Sequence, residues 1–143
     1  MRRIYVGLLL LLTLVLTACG GGDTAVADPP AARPFETSGS EQVDALIADW
    51  REVAWEAMLR DGVKPETKEE KIFLSTASLA EIQEHYESLT SNGWWRLQRM
   101  PGLSGDVLLT GYEQGTTSLV VGAVDASAYG GEGTVIYTLK GTK

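Results

Sequence analysis

An apolar run over residues 4–16 decides how much of this 143-residue chain can fold into a domain. The run follows Arg2 and Arg3 and is closed by small residues, which is the form of a secretory signal. A lasting transmembrane helix needs about 20 apolar residues, and this run stops earlier, at a Gly-Gly-Gly-Asp stretch without positive charge. We therefore expect residues 1–18 to be removed as a signal peptide and to contribute nothing to the fold.

The end of the run carries a more specific pattern. The run ends at Leu16 and is followed by Thr17, Ala18 and Cys19, so a leucine, a small residue and an alanine precede the cysteine. This stretch resembles the lipobox of bacterial lipoproteins that signal peptidase II processes. The resemblance implies a diacylglyceryl group on the sulfur of Cys19, and a membrane-anchored protein on the periplasmic or cell-surface side. Two or three acyl chains together make release from a membrane slow.

Cysteine and histidine counts limit the chemistry of the exported part. Cys19 is the only cysteine, so the exported domain has no disulfide and no thiol beyond the lipid attachment point. His85 is the only histidine, and zinc sites need several nitrogen or sulfur ligands. The sequence therefore predicts no cofactor and no metal of this kind.

Charge narrows the choice of partners. Loss of residues 1–18 removes two arginines and no acid, so the formal net charge of −7 becomes about −9. An acidic surface repels phosphate backbones and anionic headgroups. We expect no nucleic-acid partner, a membrane contact made through the lipid on Cys19, and an envelope protein or polymer as the partner of the domain.

Residues 19–39 are rich in glycine, alanine, serine and proline, and Val26 and Phe35 are their only sizeable apolar side chains. Such a composition does not bury a core. It predicts a lipidated N-terminus with a flexible tether, whose root-mean-square reach would be about 22–27 Å. The remaining residues, 40–143, are close to the common size of one domain.

Two segments, 38–60 and 79–91, have the three- and four-residue apolar spacing of amphipathic helices. Capping boxes are predicted at their starts, Ser38 with Glu41 and Ser78 with Glu81. Five runs bounded by turn residues predict strands: 71–76, 94–100, 107–113, 118–125 and 134–140. Closely spaced strands after a helix favour an antiparallel meander. We predict an α+β domain with a sheet of about five strands and the second helix packed across it.

This helix and the strands after it resemble a unit found in small exported lipoprotein domains, in which a Ser-capped helix precedes a Gly-Trp pair. The matching residues are Ser78, Tyr86, Gly93 and Trp94. The resemblance implies the fold and implies no activity, because one fold hosts many functions.

No catalytic constellation emerges from the spacing of reactive residues. His85 has serines near it in sequence, but none lies in a nucleophile-elbow pattern. The loop 125–130 partly matches a calcium loop, yet Tyr129 occupies its fifth position and Ile136 its twelfth, where oxygen ligands are needed. The mixed charges of 64–71 are typical of a solvated loop. We predict a domain that is not an enzyme.

The adjacent pair Trp94 and Trp95 is the most informative feature of the folded part. Neighbouring side chains of a strand point to opposite faces, so one ring can cover the core beneath the second helix. The other faces either water or the first helix. Both rings are therefore structural, or one belongs to an exposed aromatic binding surface, to which Trp55 or Tyr129 would contribute.

Three classes of function remain. We favour a tethered, non-catalytic domain that binds or supports another envelope component. The alternatives are a hydrolase that acts on an envelope polymer, which would need convergent carboxylates, and a small solute-capturing module, which would need an apolar cavity beneath the second helix.

Overall fold

The computed structural model describes residues 24–143, so the predicted signal peptide and Cys19 lie outside the described residues. Within that range two helices and one antiparallel sheet of seven strands form an α+β fold. The elements are β1 Ala32–Pro34, α1 Glu41–Arg60, β2 Glu69–Ser75, α2 Leu79–Glu87, β3 Trp95–Arg96, β4 Gly102–Ser104, β5 Val107–Gln114, β6 Thr117–Asp125 and β7 Thr134–Thr142. The predicted fold class is confirmed, whereas the estimate of five strands is too small.

The strand order is β1-β2-β7-β6-β5-β3, and β4 pairs with β5 beyond the end of β3. Consecutive strands β5, β6 and β7 form the predicted meander, and β2 adds to the free side of β7. We call the end where β5 turns into β6, around residues 114–117, the Thr117 end. The opposite end, where β6 finishes and β7 begins, is the Asp125 end.

Both faces of the sheet are covered, because each strand presents alternate residues to each side. On β6, the odd-numbered Leu119, Val121 and Ala123 belong to the core beneath α2, while Val120 and Val124 belong to the core beneath α1. The expected packing of α2 across the sheet is confirmed. Helix α1 covers the second face, so the domain has three layers.

Helix α1 lies close to strand β6 of the sheet at Trp50. A Cβ atom on Gly122 would lie 2.6 Å from the Trp50 ring, so the absence of a side chain at Gly122 makes room for the indole. Apolar residues at three- and four-residue intervals bury the helix along its length: Val43, Ile47, Trp50, Ala54, Ala57 and Met58. The predicted helical periodicity is therefore confirmed.

The start of α1 differs from the prediction. Ser40, not Ser38, is the N-cap, with its Oγ accepting from Val43 N at 3.5 Å. Gly39 has φ 68°, a left-handed conformation that sets Ser38 apart from the helix. The Ser38 hydroxyl instead donates to Asp44 Oδ1 at 2.6 Å, so the capping box predicted for Ser38 is wrong.

The start of α2 agrees with the prediction. Ser78 Oγ accepts from Glu81 N at 3.3 Å, and Glu81 Oε2 accepts from Ser78 N at 2.7 Å, which completes a capping box. The helix ends at Glu87, and a 3₁₀ turn continues to Asn92. Gly93 then reverses the chain with φ 87°.

The predicted strand over 94–100 is reduced to the two residues of β3. Met100 N donates to Leu97 O at 3.2 Å, which makes a turn, and the chain then returns to the sheet as β4. The sequence pattern missed β4 because a three-residue strand beside Pro101 has too few residues for alternation to be visible.

The chain between residues 24 and 39 differs most from its prediction as part of a tether. Strand β1 pairs with β2, with Ala32 opposite Ser75. Before it, residues 24–28 lie along the α2 face: Val26 packs against the core there, and Thr117 Oγ1 lies 3.5 Å from Thr24 Oγ1. Backbone pairing and apolar contact therefore hold this segment to the domain.

Candidate functional site

The two adjacent tryptophans have opposite environments. Trp94 is 5% exposed and packs in the core beneath α2, whereas Trp95 is 78% exposed. Trp95 lies in β3, at an edge of the sheet, so its side chain turns away from the core that Trp94 enters. Large exposed aromatic side chains anchor protein interfaces more often than other residue types. Trp95 is therefore the centre of the candidate interaction surface.

The surroundings of Trp95 are open and electrically balanced. A shallow depression of about 310 Å³ is lined by Thr90, Gly93, Trp94, Trp95 and Arg96. Opposite Trp95 in the ladder lies Glu113, whose Oε1 accepts from Lys143 Nζ at 2.9 Å. Because this carboxylate is paired, the indole has no uncompensated charge directly across the strand.

Trp55 and Tyr129 do not join this surface. Trp55 is half-buried against the core beneath α1, and Lys68 Nζ lies 4.9 Å from its ring centroid, a cation–π contact. Tyr129 is also half-buried against that core, in a 3₁₀ turn directly after β6, at the Asp125 end. Trp95 pairs near the Thr117 end. The aromatic residues named from the sequence thus lie in separate places.

Charged side chains are unevenly divided between the two ends of the sheet. At the Thr117 end, Lys143 N donates to Thr116 O at 2.9 Å, and Lys64 N donates to Thr142 O at 2.9 Å, which places both lysines there. At the Asp125 end, Asp106 O accepts from Asp125 N, and Glu132 lies in the turn before β7. Glu113 pairs with Lys143 at the Thr117 end, so the charges there are balanced, whereas acidic residues are in excess at the Asp125 end.

A bidentate ion pair on the α1 face joins Arg51 and Glu70, and Tyr137 adds a hydrogen bond to it. The Arg51 guanidinium donates to both oxygens of Glu70, at 2.8 and 2.9 Å, and Tyr137 Oη donates to Glu70 Oε2 at 3.1 Å. The hydrogen bonds from Arg51 hold the pKa of Glu70 below its ordinary value. Burial raises the pKa of Tyr137 above its ordinary value. A carboxylate satisfied in this way fixes α1 to the sheet and is a poor general base.

The acids Glu69 and Glu70 do not form a catalytic pair. They are neighbours in β2 and therefore point to opposite faces of the sheet. Glu69 contacts Lys140 at 2.9 Å and Lys71 at 3.1 Å, and hydrogen bonds from these two lysines lower its pKa. Glu66 precedes β2 in a 3₁₀ turn. Glu69 and Glu70 act as parts of surface ion pairs.

His85 and Asp125 have structural partners. His85 Nε2 lies 3.2 Å from Ala27 O, and the imidazole meets the ring of Tyr86 edge-on at 4.9 Å. Asp125 Oδ1 accepts from Ser127 N at 3.0 Å and from Ser127 Oγ at 2.6 Å, so it caps a turn. Within residues 24–143, no group of three or more His, Cys, Asp or Glu side chains could hold a metal ion.

The space beside α2 is small. Val26, Phe73, Tyr86 and Leu119 help to line a cavity of about 30 Å³, which has room for about one water molecule. Burial here raises the pKa of Tyr86 well above its ordinary value. A larger, open groove of about 480 Å³ lies near the Asp125 end, between the β1 segment and the loop 130–132.

Sequence reasoning missed the contribution of residues 24–28 to the domain. Val26 was the only signal, as one valine in a stretch otherwise short of large apolar groups. Its contact with the core beneath α2 depends on a sheet surface that tertiary folding creates.

No family model, curated protein or solved structure matches this chain. Between residues 24 and 143, no helix is both long enough and apolar enough to cross a membrane.

Proposed function

We propose that this chain is a bacterial lipoprotein, anchored through acyl chains on Cys19 and facing outward from the membrane. Its domain is a non-catalytic module that binds or supports another component of the cell envelope. The lipid anchor is inferred from the sequence Leu16 to Cys19 after a charged, apolar segment.

The exposed Trp95 is the single structural observation that carries the binding function. Its indole is 78% exposed at the edge of a well-packed sheet, and exposing so large an apolar surface costs free energy unless a partner covers it. The hydrolase alternative has less support, because Glu69, Glu70 and Asp125 are engaged in ion pairs and a cap. Solute capture beneath α2 would need about ten times the space found there.

The anchor is tested by producing the full chain in a bacterium fed a tagged fatty acid. We expect the tag on the parent chain and on Trp95→Ala, and its absence from Cys19→Ala. We also expect the parent to remain with membranes after a high-salt wash, because acyl chains hold by burial and not by charge. An unlabelled parent chain that leaves the membranes in salt would contradict the proposed function.

A further inference from the structure

We propose that the Thr117 end of the domain lies against the bilayer that holds the lipid, with the Trp95 indole at the headgroup interface. The inference rests on the proposed function, which supplies the acyl chains on Cys19, and it names the bilayer as the component that Trp95 contacts. Three independent features of the chain point to this arrangement.

The first feature is the distance between the lipid and the domain. Thr24 lies beside Thr117, and Cys19 precedes Thr24 by only five residues. An extended chain spans at most about 3.6 Å per residue, so the lipid attachment point lies within about 18 Å of Thr24. A compact domain of this size has a radius of gyration of about 14 Å. The spacer is thus shorter than the domain is wide, and the Thr117 end faces the membrane.

The second feature is the position of Trp95. It pairs with Glu113, one residue from the end of β5, and Gln114 pairs with Thr117. Strand β3 is separated from β6 only by β5, so the Cα atoms of Trp95 and Thr117 lie about 10 Å apart at the same end of the sheet, with their side chains on opposite faces. Tryptophan is enriched at membrane interfaces because its ring is apolar and its N–H is polar.

The third feature is the distribution of charge. At the Thr117 end lie Lys64, Lys143 and Glu113, which pairs with Lys143, whereas Asp106, Asp125 and Glu132 lie at the other end. Strand β6 has nine residues and so spans about 30 Å, several times the Debye length of about 8 Å at physiological salt. The acidic groups of the Asp125 end are therefore screened from the bilayer, and the end that faces it carries Lys64 and the paired charges of Lys143 and Glu113.

The test uses the full acylated chain in vesicles of phosphatidylcholine and phosphatidylglycerol, with and without bromine on the acyl chains near the headgroup. Bromine quenches tryptophan emission only at short range. We expect brominated vesicles to reduce the emission of the parent chain and to have little effect on Trp95→Phe. Binding should also shift the emission of Trp95 to the blue.

A matched control moves the exposed tryptophan to the opposite end. Leu103 is 45% exposed in β4, near the Asp125 end. The double variant Trp95→Phe with Leu103→Trp keeps the number of tryptophans, and we expect brominated lipid to leave its emission unchanged. If brominated lipid quenched the double variant as strongly as it quenches the parent chain, the proposed orientation would be overturned.

Flotation of the vesicles separates the two proposals. If the parent chain floats with the vesicles but its emission is insensitive to bromine and open to acrylamide, the anchor stands and the bilayer contact is wrong. Trp95 would then be free for an envelope protein or polymer. If the chain does not float, the lipid anchor of the proposed function fails, and the membrane contact fails with it.

Discussion

The two helices cover the two faces of the sheet by different means. Helix α1 runs for 20 residues and buries six of them, including Trp50, against its face. Helix α2 runs for nine residues and buries Ile82 and Tyr86. The short helix leaves part of its face to other elements: Trp94, from beyond the helix, and Val26, from the N-terminal segment, complete that core.

This difference between the two faces predicts how strongly substitutions on each face change the stability of the domain. On the α1 face one continuous helix supplies six buried side chains, and Val63, Met100 and Ala126 from outside the helix add to the same core. The α2 face is assembled from distant parts of the chain, each of which contributes less. We therefore expect substitutions on the α1 face to have large effects on stability, and single substitutions on the N-terminal segment to have smaller ones.

The largest effect is expected at Trp50. Trp50→Ala removes an indole that is 4% exposed and leaves a cavity over Gly122, so we expect the free energy of unfolding to fall by about 3–5 kcal/mol. Urea unfolding measures this change. Trp95→Ala is the matched control, for which we expect a change of about 0.5 kcal/mol or less. Equal losses from both variants would contradict the assignment of Trp50 to the core and of Trp95 to the surface.

A smaller effect is expected at Val26 on the α2 face. Burying a whole valine contributes about 1.5–3 kcal/mol, so Val26→Ser, at a half-buried position, should cost about 1 kcal/mol. Val53, which is 44% exposed on α1, offers the control Val53→Ser, with a change within about 0.5 kcal/mol. If Val26→Ser had no effect in the same unfolding experiment, the N-terminal segment would not stabilise the domain.

The smallest effect concerns the ion pair that joins α1 to the sheet. Hydrogen bonds from Arg51 lower the pKa of Glu70 below 4.5 in the folded chain, so the unfolded chain takes up this proton first as the pH falls. The stabilisation is therefore present above about pH 4.5 and is lost as the pH falls through the folded pKa. Glu70→Gln should cost about 0.5 kcal/mol at pH 7 and flatten the loss of stability in acid.

Thermal unfolding between pH 3 and pH 7 measures this dependence. Glu84 is exposed on α2, and Glu84→Gln is the control that should keep the acid dependence of the parent. An unchanged profile in Glu70→Gln would show that the pair with Arg51 does not couple α1 to the sheet.

The elements that the sequence predicted well have strong local signals. The spacing of apolar residues in α1, the reciprocal Ser78 and Glu81 cap of α2, and the turn-bounded runs that form β5, β6 and β7 are all properties of short stretches. Prediction failed where the structure depends on distant partners. Strand β1 exists because β2 offers an edge to pair with, and its three residues carry no signal of their own.

For the candidate site too, local sequence predicts one part and the tertiary structure decides the rest. Strand geometry places the side chains of Trp94 and Trp95 on opposite faces, and this follows from their adjacency alone. Which of the two is buried depends on where α2 lies, because the helix covers the side that Trp94 faces. The sequence could name Trp55 and Tyr129 as aromatic candidates, but only the fold separates them from Trp95.

By itself, the sequence determined the fold class, the two amphipathic helices and the strands of the meander, because their signals are local patterns of apolar and capping residues. The tertiary structure decided that residues 24–28 belong to the domain, that Trp95 is the exposed ring, and that the acidic residues Asp106, Asp125 and Glu132 lie at the same end of the sheet. Each of these depends on contacts between residues far apart in the chain. No local pattern encodes such contacts, because burial and charge distribution arise only when the elements pack together.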